Sequence, residues 1–204
     1  MHAAWSVLAF TVLSGAGLGA LALIASVDLA AATRLWVAPG NAAVWLAAAL
    51  AALVLVVVGL CSSVLHLANP RNAWRSMTRF RTSWLSREAV FALALLAVAV
   101  AYVAARWAEA GAMLRVPLAL AVLALAWTVL YCTALIYASL KPIRAWHTRR
   151  VPLVFFLLGH ASGALLVVAA LGVAGIASEA LATLAMALFV LAAVSKLDYW
   201  RYLG

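Results

Sequence analysis

Acidic side chains are almost missing from this chain: five Asp and Glu stand against fourteen Lys and Arg among 204 residues. Charged residues make up 9% and hydrophobic residues 70%, a balance that cannot cover a soluble globule with polar surface. Cysteine is scarce too. Cys61 and Cys132 stand alone inside apolar runs without Cys-x-x-Cys spacing, which argues against a zinc site or iron-sulfur cluster held by this chain alone. Both read as small buried hydrophobes. Also absent are a Walker loop, a serine nucleophile elbow and a paired-histidine zinc helix, which argues against a self-contained hydrolase or an ATP-driven pump. The net charge of +9 would suggest nucleic acid in a soluble protein. Here the basic residues sit in short connections between apolar runs, where membrane orientation explains them, so no nucleic-acid partner is expected.

What the chain does have is length in hydrocarbon-compatible segments. Apolar runs long enough to cross a bilayer recur at about 5–27, 44–65, 88–106, 116–139, 152–174 and 179–194. They are continuous rather than alternating, so the expectation is an all-α fold: one transmembrane domain over 1–204, a bundle of six helices. No connection is large enough to fold alone. Met1-His2 lacks the positive start of a signal peptide, so the first run reads as an uncleaved helix. Gly15, Gly17 and Gly19 fall inside that run, not between a strand and a helix, so a dinucleotide site is not expected, and Gly15 and Gly19 are spaced to let another helix approach closely. Asp28, Arg34, Pro39 and Gly40 are assigned to a short loop, and Lys196 to Gly204 to a polar, aromatic tail.

Lysine and arginine are distributed unevenly between the two sides. Arg71, Arg75, Arg79, Arg81 and Arg87 share a side with Lys141, Arg144, Arg149, Arg150, Lys196 and Arg201, whereas Arg34, Arg106 and Arg115 lie opposite. The positive-inside rule therefore puts the His66 loop and both termini in the cytoplasm. Eight tryptophans fall near the ends of spans, as an interfacial belt requires, and Trp127 alone sits mid-span. Pro70, Ala73 and Trp74 are echoed by Pro142, Ala145 and Trp146, a match as easily ascribed to loop chemistry as to duplication.

The most informative stretch is His66 to Glu88, HLANPRNAWRSMTRFRTSWLSRE. It holds five of the twelve arginines, with a histidine where the second span ends and a carboxylate where the third begins. An imidazole beside a carboxylate suits proton exchange with a quinone, which needs a hydrogen-bond partner, a proton path and an apolar slot. The competing reading makes His66 an interfacial cap and Glu88 a first-turn residue favoured by the helix dipole. Arg71, Arg75 and Arg79 fall at i, i+4, i+8 and Trp74, Met77 and Phe80 at i, i+3, i+6. On a surface helix this pattern gives a basic stripe beside an apolar one, suited to lipid headgroups or a peripheral protein. His160, roughly 12 Å into the fifth span, is a candidate haem or quinone-pocket residue. Its flanking Gly159 and Gly163 also suit a packing role. His147 lies in a basic loop, solvated or facing a partner.

The run His66-Leu67-Ala68-Asn69-Pro70-Arg71-Asn72-Ala73-Trp74, with Ser83-Trp84-Leu85-Ser86-Arg87-Glu88, resembles the first large loop of the membrane anchor subunits of dimethyl sulfoxide reductase-type complexes. Tyr137, Pro142, Trp146, Pro152, Phe155 and Phe156 resemble a later pattern of that family. The resemblance departs in three respects: Ala68-Asn69 replaces Gly-x, Arg71 directly follows the proline, and six spans are expected where dimethyl sulfoxide reductase anchors have eight. It implies a partner molybdopterin catalytic subunit, a four-cluster iron-sulfur subunit and exchange of electrons with ubiquinone or menaquinone. The quinone-site pair of the family maps onto His66 and Glu88. Arg71, Trp74, Arg75, Arg79 and Arg81 are then the docking residues. A cytoplasmic His66 loop resembles the layout of the cytoplasmic sulfite dehydrogenase branch, in a bacterial inner membrane, with no covalent cofactor. The alternatives are a quinol-oxidising anchor of a respiratory reductase, a haem b cytochrome subunit and, from another class, a small polytopic transporter.

Overall fold

A computed structural model describes residues 5–64 and 70–204, leaving the side chains of residues 70–73 and 76 outside the description. Among the described residues six helices are long and apolar enough to cross a membrane. They are α1 (Trp5–Ala32), α2 (Ala42–Val64), α3 (Trp84–Trp107), α4 (Ala112–Ala138), α5 (Arg150–Val173) and α6 (Glu179–Leu203), with a 3-10 helix at Pro70–Arg79 before α3. Among the described residues there is no strand. Each helix satisfies its own backbone groups, the condition for crossing hydrocarbon.

The ends of the helices are set by local chemistry. Ser83 and Ser178 start α3 and α6, each accepting from the backbone N–H three residues on. Past α5, Gly175 takes a positive φ of 74° and lets the Ile176 N–H reach the Leu171 carbonyl. Arg34 and Glu109 adopt the same left-handed geometry after α1 and α3, although neither is a glycine.

Helix α1 is the axis of the bundle and packs on α2, α4 and α5, while α6 rests mainly on α5. Lipid tails are as apolar as leucine, so helices associate here through close backbone approach at small residues. A side chain on Gly17 would strike Ala52 and Val56 of α2, one on Gly19 the Gly159 backbone of α5, and one on Gly163 the Gly19–Ala20 backbone. Gly19 of α1 and the Gly159/Gly163 pair of α5 are thus two halves of one contact. A methyl on Gly15, by contrast, would meet nothing within 4 Å.

Four boundaries correct the sequence expectation. Helix α1 continues to Ala32, so Asp28 lies inside a span, not in a loop. Helix α3 begins at Trp84, so Glu88 is a full turn inside it rather than at its start. Helix α4 begins at Ala112, with Pro117 inside it. Helix α6 runs to Leu203, which brings Lys196 into a span instead of a tail. In each case a single polar or helix-breaking residue suggested an end that the continuing backbone ladder overrides.

Candidate functional site

Glu88 is buried, with 5% of its surface exposed, although it belongs to the chain's most basic region. The Ser83 cap starts α3 five residues earlier and turns Glu88 toward α4, where the Thr133 hydroxyl donates to its Oε1. Thr133 Oγ1 also lies 3.0 Å from the Val129 carbonyl, so one hydroxyl proton faces two acceptors. Among the described residues Glu88 has no cationic partner within ion-pair distance. Ser86, fully buried, has no hydrogen-bond partner for its hydroxyl among the described residues. Glu88 lies beyond the first turn, which corrects the reading of it as a first-turn residue, because α3 starts a turn earlier than expected.

The connection before α3 is tied to the helix by Arg87. Its guanidinium donates to the carbonyls of Phe80 (3.0 Å) and Arg81 (2.8 Å) and stacks 4.2 Å from the Trp84 ring centroid. Phe80 packs against Phe91, and Trp84 meets Tyr131 edge-on. Trp74, Arg75, Arg79 and Arg81 are all exposed, forming a basic and aromatic surface. The expected continuous arginine stripe is corrected, however. A 3-10 helix has three residues per turn, so arginines four apart are rotated by about 120° and do not align. The Arg71 side chain and all of His66 lie outside the described residues.

Behind Thr133 is an apolar cleft between α1, α4, α5 and α6, with a volume of about 340 Å³ and walls that include Val12, Leu18, Leu130, Phe155 and Leu158. A second cavity of about 280 Å³ adjoins it toward the Lys141 loop and is lined by Tyr137, Trp146 and Tyr199. Thr11, Val154, Phe155 and Lys196 belong to both. Glu88 is therefore one hydrogen bond from an apolar slot.

His160 serves another purpose. Its Nε2 accepts from the Trp127 indole N–H at 3.0 Å and its Nδ1 sits 2.8 Å from the Phe156 carbonyl, which the network assigns as the Nδ1–H tautomer. The mid-span Trp127 thus finds the partner that lipid cannot supply. A haem iron would have to displace that indole, so His160 does not fit an axial ligand. Among the described residues no cluster of His, Cys, Asp and Glu is suited to a metal ion.

One polar constellation escaped the sequence reading. Near the opposite end of the bundle, Arg106 donates to Asp28 Oδ2 at 2.5 Å and the Tyr102 hydroxyl donates to the same oxygen at 2.6 Å. Arg106 and Tyr102 are buried, on one face of α3 at i, i+4 spacing. That spacing and the scarcity of acids were the available signal, obscured by placing Asp28 in a loop.

The family of the DMSO reductase anchor subunit (DmsC) matches residues 1–197. The chain belongs to that family. It is 37% identical over 180 residues to a sulfite dehydrogenase subunit from Allochromatium vinosum, a match covering 83% of this chain and 55% of that relative. The chain thus spans about half the length of the curated relative it matches. No solved structure matches it. As a DmsC-family anchor with six spanning helices, it is a multi-pass membrane protein.

Proposed function

We propose that this DmsC-family anchor is the quinone-reactive subunit of a three-subunit molybdopterin oxidoreductase, passing electrons from cytoplasmic sulfite oxidation to the quinone pool. The observation that carries the reading is Glu88, a buried carboxylate with no cation within ion-pair distance among the described residues, joined through Thr133 to an apolar cleft. Reducing one quinone to quinol takes up two electrons and two protons. The electrons enter from an iron-sulfur subunit docked over the exposed Trp74, Arg75, Arg79 and Arg81, with Arg71 adjoining in sequence. The protons pass by way of His66 and Glu88, and the cleft excludes bulk water from the ring. The chain itself would hold no metal and no covalent cofactor; ubiquinone and menaquinone both suit an apolar slot of this kind.

Sulfite is favoured over a reductase substrate by the similarity to a sulfite dehydrogenase subunit and by charge. On one side of the bundle Arg79, Arg81, Lys141, Arg144 and Arg149 meet no carboxylate within ion-pair distance among the described residues. On the other lie three, Arg34, Arg106 and Arg115, the second of them paired with Asp28. This asymmetry supports a cytoplasmic basic side in a bacterial inner membrane. The quinol-oxidising direction remains the alternative that the family name favours.

The test is His66→Ala in the assembled complex. The proposal expects quinone-linked turnover to fall by at least tenfold while the two partner subunits still copurify. Full activity in that variant would remove His66 from the mechanism, and copurification of other proteins, or of none, would remove the complex.

A further inference from the structure

We propose that Lys196 is a ligand-positioning residue, holding a quinone ring oxygen in the cleft between α1, α4, α5 and α6. The inference rests on the quinone reading above and adds where the ring sits and what holds it.

Lys196 lies seven residues before the last residue of α6, about 10 Å of helix from its end. An ammonium on a spanning helix is retained where it faces a bundle interior or a cavity, or where it reaches the interface. Lys196 is half-buried and lines both cavities where they adjoin. Its neighbours are aromatic faces, with the Nζ 4.8 Å from the Tyr199 ring centroid and 5.7 Å from that of Trp200. Asp198, the nearest acid in sequence, is held by Arg150 at 2.6 Å. Among the described residues no oxygen accepts from the Lys196 ammonium, so its N–H donors are uncommitted.

The other polar groups on the cleft wall are already spent as donors. Thr11, Ser14 and Ser162 each give their hydroxyl proton to a carbonyl of their own helix, those of Val7, Phe10 and Leu158. They can only accept. A ligand whose oxygens need donors is therefore met by Lys196, with the Tyr137 hydroxyl in the adjoining cavity. Thr133, on the same wall as Leu130, connects to Glu88. Apolar walls, one cation and one carboxylate-linked hydroxyl suit a neutral ring with two carbonyl oxygens. A cation beside one oxygen stabilises negative charge that reaches the ring before its protons do. A phospholipid would use the cation but has no use for Thr133. In the proposed reduction, the two electrons come from the iron-sulfur partner, and one of the two protons passes when protonated Glu88 gives its proton to Thr133 Oγ1 while the Thr133 hydroxyl turns from Glu88 and gives its own to the ring.

The experiment uses the intact complex in its native membrane with Lys196→Met and Lys196→Arg, assayed with a short-chain ubiquinone and labelled with a photoreactive azidoquinone. Lys196→Met is expected to raise KM for the quinone by roughly tenfold, about 1.4 kcal/mol, and to abolish labelling of α1, α5 and α6 peptides. Lys196→Arg is expected to keep KM within about threefold, because a cation and donor remain. An unchanged KM in Lys196→Met, with labelling confined to residues 66–88, would overturn the inference and leave the quinone reading standing. Loss of a bound phospholipid from that variant with unchanged KM would overturn it as well and make the cleft a lipid site. If the wild-type complex shows neither quinone turnover nor labelling, the quinone reading itself fails.

Discussion

Asp28 and Glu88 are two carboxylates inside one helical bundle, held in opposite ways. Asp28 receives a guanidinium and a phenol on one oxygen and has its charge matched at the end of the bundle away from the basic loops. Glu88 has a threonine hydroxyl and, among the described residues, no cation within ion-pair distance, one helix away from an apolar cleft. A carboxylate paired with an arginine of another helix ties the two helices together. One that lacks a counter-charge can gain or lose a proton without leaving an arginine stranded, which is what proton exchange requires. The contrast separates an ion-paired carboxylate from one with no cation beside it among the described residues, without appeal to depth in the membrane, because both are held inside the bundle.

The largest effect should come from breaking the fastened site. Arg106→Met leaves Asp28 with only Tyr102, and removing one partner of a buried pair costs about 3–5 kcal/mol. The expected outcome is loss of assembled complex at distinctly lower temperature when it is heated in detergent. Adding Asp28→Asn to that variant should restore most of the loss, since neutralising both members removes the stranded charge. An intermediate effect is expected at the working site. Thr133→Val keeps the shape of the side chain and removes the link from Glu88 to the cleft, so quinone turnover should fall about tenfold with assembly unchanged, the kinetic counterpart of about 1.4 kcal/mol. The smallest effect belongs to Ser86→Ala. Its buried hydroxyl has no partner among the described residues, so the change should alter stability by less than about 1 kcal/mol in the same heating assay. A large loss there would mean that the hydroxyl has an undiscovered function.

Much of this layout was legible in the chain. Six spans, close packing at Gly19 and at Gly159 and Gly163, and a packing role for His160 follow from composition and spacing, whereas which helices meet there does not. Other features needed three dimensions. Asp28 looked like a loop residue because a lone acid usually marks an end, and only the approach of α3 shows why a charge remains within a span. Lys196 looked like part of a tail for the same reason. The arginine stripe assumed 3.6 residues per turn, whereas the segment winds at three. Glu88 was picked out by its place in the family-like loop, but its burial and its bond to Thr133 join residues 45 apart, and nothing in their local sequence announces that pairing. His66 lies outside the described residues, so its expected partnership with Glu88 rests on the loop motif.

The most direct test of Glu88 as the working carboxylate is an infrared difference spectrum of the intact complex, with quinone reduced minus quinone oxidised. Reduction should change a protonated-carboxyl C=O band that disappears in Glu88→Gln and persists in Asp28→Asn. A carboxyl signal that survives Glu88→Gln unchanged, or that is lost instead with Asp28→Asn, would contradict the division of labour between the two acids.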